Sequence, residues 1–345
     1  MVSERDKQIF GIIMQEFILT GEPVGSRVVS RRYDLNVSPA TIRNVMADLE
    51  EYGYLTQPHV SAGRIPTPEG IRFFLEEILQ TRILPKGEKN MISRHLTKSF
   101  GSLKDTLHET SLLLSEISRN AAIIILPKLS TSILKRIEFL RLDEKRTLAI
   151  LISKSGMVYN HIVQGEDISQ DELTKYSNYL NETYANMTIQ KMRDMLASEM
   201  SSEKARFDDL VRKAMELGKT ALESVEETPD IVIEGKESVY NYPEFSDIDK
   251  LREIVRAFED KGRILRLLNQ VLHADSGVKV FVGEELGALG MRDFSMVASG
   301  YFRGDTPVGT LGVIGPLRMD YGRVIPLVEY VAKVLSSMLE DIQYG

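Results

Sequence analysis

The segment that most restricts the fold is Ser38-Pro39 followed by Ile42, Val45, Met46 and Leu49. A serine side chain caps a helix by accepting from an early helical N–H. Proline suits the first helical position, where its missing N–H has no partner to lose. The four apolar residues fall at i, i+3, i+4 and i+7, so they share one helix face. A helix this short is marginal alone and must bury that face against neighbours. The flanks supply them. Ile9, Ile12, Ile13 and Phe17 predict a helix over 4–19, ended by Thr20-Gly-Glu-Pro23. A short helix from Ser26 to Tyr33 follows, with a tight connection at 34–37. Past a helix stop near Gly53, 54–57 and 65–67 read as short strands around a loop at 58–64. Thr67-Pro68-Glu69 opens another helix, with Ile71, Phe74, Leu75 and Ile78 on one face. Helix, helix, turn, helix, strand, loop, strand, helix over 1–86 is the order of a winged helix-turn-helix.

Pro85-Lys86-Gly87-Glu88 reads as a linker. Beyond it the pattern mixes periods. A long helix is expected over 90–119, with Gly101 as its weak point, then an apolar strand at 121–126. Strands at 136–142, 147–153 and 157–163 have short polar connections, which favours antiparallel hairpins. A helical stretch over 169–223 breaks near 186–188 and 200–202. A strand at 231–233, a helix at 249–272, strands at 278–283, 295–302 and 308–314, and a helix at 324–342 complete the chain. With no regular βαβ repeat, the expected class is α+β, multidomain. If strand 121–126 shares a sheet with the strands after 231, residues of about 129–230 are an insertion.

Composition excludes several functions. The 345 residues contain no cysteine, so there is no disulfide framework, thiolate nucleophile or Cys-ligated metal. His59, His95, His108, His161 and His273 form no HxH or HxxxH pair, so no metal is expected. No nucleophile–base constellation stands out and no cofactor is implied, so an enzyme is not expected. The longest apolar run, 121–126, is far too short to span a membrane. The charged N-terminus lacks a signal peptide's apolar core, which points to the cytoplasm. Gly309, Gly312 and Gly315 lack the Gly-Lys-Ser/Thr ending of a phosphate loop and read as strand glycines. Glu226-Glu227 and Glu284-Glu285 read as solvated surface. Arg318 and Asp320 are given a structural role, by local pairing or at a subunit contact. A net charge of −7 does not exclude a DNA reader, because the local field decides. Residues 1–86 sum to −1, and their arginines are grouped: Arg27, Arg31, Arg32, Arg43 and Arg64.

If the apolar stripe of 39–52 faces inward, Ala40, Thr41, Arg43, Asn44, Ala47 and Asp48 face outward. Arginine reads guanine and asparagine reads adenine through paired hydrogen bonds, and the first residues of a recognition helix lie deepest in the major groove. Ser38 and Thr41 hydroxyls suit phosphate or base edges, and Arg27 joins the set from the preceding helix. In the loop 58–66, Ser61, Gly63 and Arg64 form a small-residue tip with one cation, fit to reach the backbone or minor groove. The competing reading is an ordinary surface helix, with Arg43 paired to Asp48, beside a solvated hairpin. Tyr176, Tyr179 and Tyr184, with Met187, Met192, Met195 and Met200, read as helix core or, second, as a dimer interface.

The run from Pro23-Val-Gly-Ser-Arg27, through Ser38-Pro-Ala-Thr-Ile-Arg-Asn44 and Asp48-Leu-Glu50, to Gln57-Pro-His-Val-Ser-Ala-Gly-Arg-Ile-Pro-Thr67 resembles the HrcA family of heat-inducible transcription repressors. Gly309-Thr-Leu-Gly-Val-Ile-Gly-Pro-Leu-Arg-Met-Asp-Tyr321 resembles the family's second signature. Val60 departs from the Thr expected there, and Ile71 from a common aromatic. The resemblance implies a cytoplasmic stress-response repressor that binds an inverted-repeat operator of chaperone genes as a homodimer. It implies a winged-helix domain at 1–86, a GAF-like α/β domain from 88–128 plus 231–345, and an inserted α+β dimerisation domain at 129–230. It also implies a GroEL-type chaperonin as partner. The runner-up is a winged-helix regulator whose GAF-like domain senses a small molecule.

Overall fold

The computed structural model describes residues 2–33, 37–59, 62–97, 103–125, 132–154, 158–199, 209–223, 231–240, 242–245, 247–272, 277–304 and 306–341. It is a mixed α+β molecule with three separate antiparallel sheets.

The N-terminal region begins with α1 (Glu4–Thr20), α2 (Ser26–Arg32) and α3 (Pro39–Glu51). Ser3 and Asp6 cap α1 reciprocally, and Gly21 closes it at φ 72°, a left-handed conformation that glycine adopts without a Cβ clash. Ile9, Phe10 and Ile13 of α1 meet Val29 of α2 and the stripe Ile42, Val45, Met46 and Leu49 of α3 in one core. β1 (Leu55–Thr56) pairs with β2 (Ile65–Pro66), and a bridge from Val24 to Arg64 ties that ribbon to the α1–α2 connection. Thr67 caps α4 (Pro68–Glu77). Phe73 of α4 stacks on Tyr54 at 4.4 Å between ring centres.

The five-stranded sheet runs in the order β7-β3-β10-β9-β8. Its strands are β3 (Ala121–Ile125), β7 (Ile231–Glu234), β8 (Val278–Val282), β9 (Phe294–Arg303) and β10 (Thr306–Pro316). β3 is buried along its whole length, because both sheet faces are covered. One face carries α5 (Lys86–Leu96), α6 (Leu103–Ser118) and α13 (Tyr321–Asp341), and its core continues into that of α1–α4. The other carries α10 (Lys236–Tyr240), α11 (Ile248–Glu259) and α12 (Lys261–Leu272). Between β3 and β7 the chain forms a third core. There β4 (Leu134–Arg141), β5 (Arg146–Ser153) and β6 (Val158–Gln164) make a meander, covered on one face by α7 (Gln170–Tyr184), α8 (Ile189–Glu199) and α9 (Asp209–Glu223). Tyr176, Tyr184 and Met192 are buried in that core.

Three expectations are corrected. Residues 90–119 are not one helix but α5 and α6, with 98–102 outside the described residues. Residues 249–272 divide at Asp260, whose carboxylate accepts from the Arg263 N–H at 3.1 Å and starts a new helix. Pro85 to Glu88 is not a linker: Pro85 immediately precedes α5 and Lys86 to Glu88 form its first turn, and the non-helical connection lies at 79–85. Leu126, Met157, residues 200–202 and Glu226-Glu227 lie outside the described residues.

Candidate nucleic-acid interface

α3 has two faces of opposite character. Ile42 and Leu49 are fully buried, with Met46 at 1% and Val45 at 6% exposure. Ala40, Arg43, Asn44, Ala47 and Asp48 are exposed, and Thr41 is half-buried. Among the described residues, no ion pair or hydrogen bond holds the side chain of Arg43, Asn44 or Arg27. The Arg43–Asp48 pair of the competing reading is therefore not formed. Arg27 stands exposed on α2.

Ser38 is the N-cap of α3 and accepts from the Thr41 N–H at 3.1 Å. Its hydroxyl also lies 3.0 Å from the Thr41 hydroxyl. Both side chains are thus engaged in starting the helix at the point where it faces outward.

The ribbon behaves differently. Ser61 lies outside the described residues, as does Val60. Gly63 is forced by packing: a Cβ there would fall 2.5 Å from the Val24 backbone, because the Val24–Arg64 bridge brings the two chains together. Arg64 places Nη2 2.7 Å from Glu50 Oε2, with 19% of its side chain exposed. Its guanidinium fastens the ribbon to the end of α3. His59 is exposed.

Sequence reasoning passed over Glu16. It continues the stripe of Ile9, Ile12 and Ile13, so it lies on the buried face of α1. Its side chain is 3% exposed and accepts from Arg32 at 2.7 Å and from the Tyr33 hydroxyl at 3.0 Å. A buried carboxylate requires such partners, and here they tie the end of α2 to α1. Burial first, then the bond to Glu16, holds the Tyr33 hydroxyl above its usual pKa. The available signal was a carboxylate on an apolar stripe. Arg32, grouped with the surface arginines by position, is spent on this contact.

The glycines of β10 are sheet residues. A Cβ on Gly309 would meet the Ile125 carbonyl at 2.5 Å, and one on Gly312 the Val297 carbonyl at 2.9 Å. Among the described residues no group of three or more histidine, aspartate or glutamate side chains is placed to hold a metal. No helix among them is long and apolar enough to cross a membrane.

Comparison with known proteins narrows what such an interface serves. Residues 104–325 match the family model of the HrcA protein C-terminal domain. The chain is 45% identical over 341 residues to the heat-inducible transcription repressor HrcA of Syntrophobacter fumaroxidans, covering 99% of this chain and 98% of that one. It is 41% identical over 340 residues to the heat-inducible transcription repressor HrcA of Geobacter sulfurreducens, covering 98% of each. A crystal structure described as a hypothetical protein at 2.2 Å shares the fold, with TM-score 0.67 and 23% identity over 99% of this chain and 100% of that one. With the family model spanning more than half of the sequence and both relatives matched end to end, the chain belongs to the HrcA family of heat-inducible transcription repressors.

Proposed function

We propose that this protein represses chaperone genes in the cytoplasm by binding an inverted-repeat operator as a homodimer. Residues 1–86 serve as a winged helix-turn-helix, with α3 in the major groove and the β1–β2 ribbon as the wing. One observation carries this: Arg43 and Asn44 project from the outward face of α3 with no protein partner among the described residues. No ion pair must be broken before they meet base edges, so their hydrogen bonds to DNA replace bonds to water alone.

Residues 88–128 with 231–345 serve as a GAF-like domain, and 129–230 as the dimerisation domain inserted in it. The helix-free face of the three-stranded sheet supports that role. Its cross-strand rows are Leu140, Leu148 and Ile162; Glu138, Ile150 and Asn160; and Arg136, Ile152 and Val158, with Arg136 paired to Glu138 at 2.7 Å. Leu140, Val158 and Ile162 are 42%, 60% and 45% exposed. Large apolar side chains left in water on a sheet face, here beside the Arg136–Glu138 pair, fit a docking surface, and a second copy related by a two-fold axis covers it with the same residues. A GroEL-type chaperonin as folding partner rests on the family resemblance alone.

The test is a titration of DNA from upstream of the organism's own chaperone genes, intact and with one half-site scrambled. Tight binding to the intact repeat, weakened by scrambling, is the expected result. Equal affinity for intact, scrambled and random DNA would remove the proposal. Adding chaperonin during refolding should raise the DNA-competent fraction, and no rise across the titration would remove that partner.

A further inference from the structure

Beside the apolar core they share, the α1–α4 unit is held against the five-stranded sheet and its α13 turn at three places. At the first, α4 lies against the edge strand β8. Arg72 donates to the Val280 carbonyl at 3.2 Å and pairs with Glu285, which in turn accepts from the Val282 N–H at 2.8 Å. An edge strand leaves carbonyls unpaired, and Arg72 fills one of them. Beside it, Pro68 at the start of α4 sits over Gly283, where a Cβ would come within 2.7 Å of the ring.

At the second place, the Arg82 N–H donates to the Gly322 carbonyl at 2.9 Å, and the Arg82 guanidinium lies 3.1 Å from Asp320. That carbonyl is free for a reason. Pro326 sits inside α13 and has no N–H to return to the residue four before it. At the third place, Arg318 closes on the end of α1: a Cβ on Gly21 would lie 2.9 Å from its Nε. Arg318 is itself held by Glu244 and lies 5.0 Å from the centre of the Tyr242 ring.

Arg318 and Asp320 come from the short turn between β10 and α13, at the end of the second signature, and Gly322 from the first turn of α13. The joint they make is not densely packed throughout. A cavity of about 400 Å³ separates Gly11, Ile18, Phe74 and Ile78 from Asp320 and Gly322. Arg82 and Asp320 are 69% and 39% exposed. Ion pairs as open as this are weak singly, so orientation depends on several acting together.

We propose that Arg72, Arg82 and Arg318 form a latch that sets the orientation of the DNA-reading unit on the sheet. They are positioning residues for operator binding: each fixes where α3 points without touching DNA. The inference rests on the proposed dimeric reading of an inverted repeat. Two recognition helices must meet half-sites about one DNA turn apart at once. A unit free to pivot lowers the effective concentration of the second helix at its half-site. The latch therefore governs binding to the whole repeat and leaves binding to a lone half-site alone.

The test uses the full-length protein with Arg82→Asp, Arg72→Gln, and the exchanged pair Arg82→Asp with Asp320→Arg. Affinities are read on the intact repeat and on a single half-site. Arg82→Asp should bind the repeat about tenfold more weakly, with half-site affinity unchanged, and the exchanged pair should recover most of the loss. Arg72→Gln should show the same split. Unchanged affinity for the repeat, an equal loss on the half-site, or no recovery by the exchange would overturn the latch. A second measurement needs no DNA. Because the chain has no cysteine, Val28→Cys and Ile248→Cys, exposed on α2 and α11, can carry a pair of spin labels. Labelled chains are mixed with excess unlabelled protein, so that each has an unlabelled partner. The label distance should be narrowly distributed with the native latch and broad in Arg82→Asp; equal widths would overturn the proposal. Wild-type protein with no preference for the repeat over random DNA would instead sink the operator reading, and the label distances would still decide the latch.

Discussion

Arg43 and Arg64 carry the same charge but keep different company. Arg43 is exposed and unpaired among the described residues, whereas Arg64 spends its guanidinium on Glu50. Their substitutions should therefore fail in different ways. Arg43→Ala, or Asn44→Ala beside it, should cost about 1–3 kcal/mol on the operator and relax base preference at one position per half-site. Titration on operator and on random DNA checks this, and an equal loss on both would make Arg43 a phosphate contact. Arg64→Ala should loosen the ribbon on α3, weakening all DNA evenly and lowering the melting temperature. If the melting temperature holds while the salt slope becomes shallower by about one unit, Arg64 leaves Glu50 to meet phosphate. The outward direction of Arg43 and Asn44 was legible in the sequence, because helical period alone assigns it. The Glu50 contact of Arg64 was not: it joins a helix to a ribbon across a loop, and no local pattern encodes it. Glu16 falls between these cases. Its place on the buried stripe could be read, but Arg32 and Tyr33 as its partners could not.

The starts of α3 and α4 were readable because their signals are local. Ser38-Pro39 and Thr67-Pro68 each combine a side-chain cap with a first-turn proline. Ser38→Ala should cost about 1 kcal/mol of stability by leaving an early N–H unpaired. Denaturant unfolding of the protein measures it. A loss of operator affinity with no loss of stability would instead make Ser38 a DNA contact. The ends of elements were read less well. Residues 249–272 keep one apolar period because α11 and α12 bury side chains in the same core, so the break at Asp260 is hidden from periodicity. Pro85 resembles a breaker in sequence, yet it stands at the residue just before α5, where a missing N–H costs no helical hydrogen bond.

For the molecule as a whole, two consequences follow from what is left uncovered and what is sealed. If the open face of the three-stranded sheet is the dimer interface, Ile150→Glu with Ile162→Glu should give a monomer of 39.0 kDa in sedimentation and reduce operator affinity to that of a half-site. A dimer that persists in this variant would place the interface elsewhere. Tyr184, Tyr301 and Tyr321 are all held above their ordinary pKa, chiefly by burial. Their folded values exceed the unfolded value near 10, so their contribution is complete below about pH 10 and declines as pH rises toward the folded values. The urea midpoint should stay nearly level from about pH 8 to about pH 9.5 and fall beyond; a midpoint that rises above about pH 10 would contradict this. By itself the sequence determined the order of elements in 1–86 and the outward face of α3, because caps, breakers and helical period act within a few residues of each other. Tertiary structure decided the sheet order β7-β3-β10-β9-β8, the departure and return of the chain between β3 and β7, and the pairing of Arg72 with Glu285 and Arg82 with Asp320. Those partners lie more than 200 residues apart. Contacts at such separation exist only once the whole chain has collapsed on its cores, so no local pattern announces them.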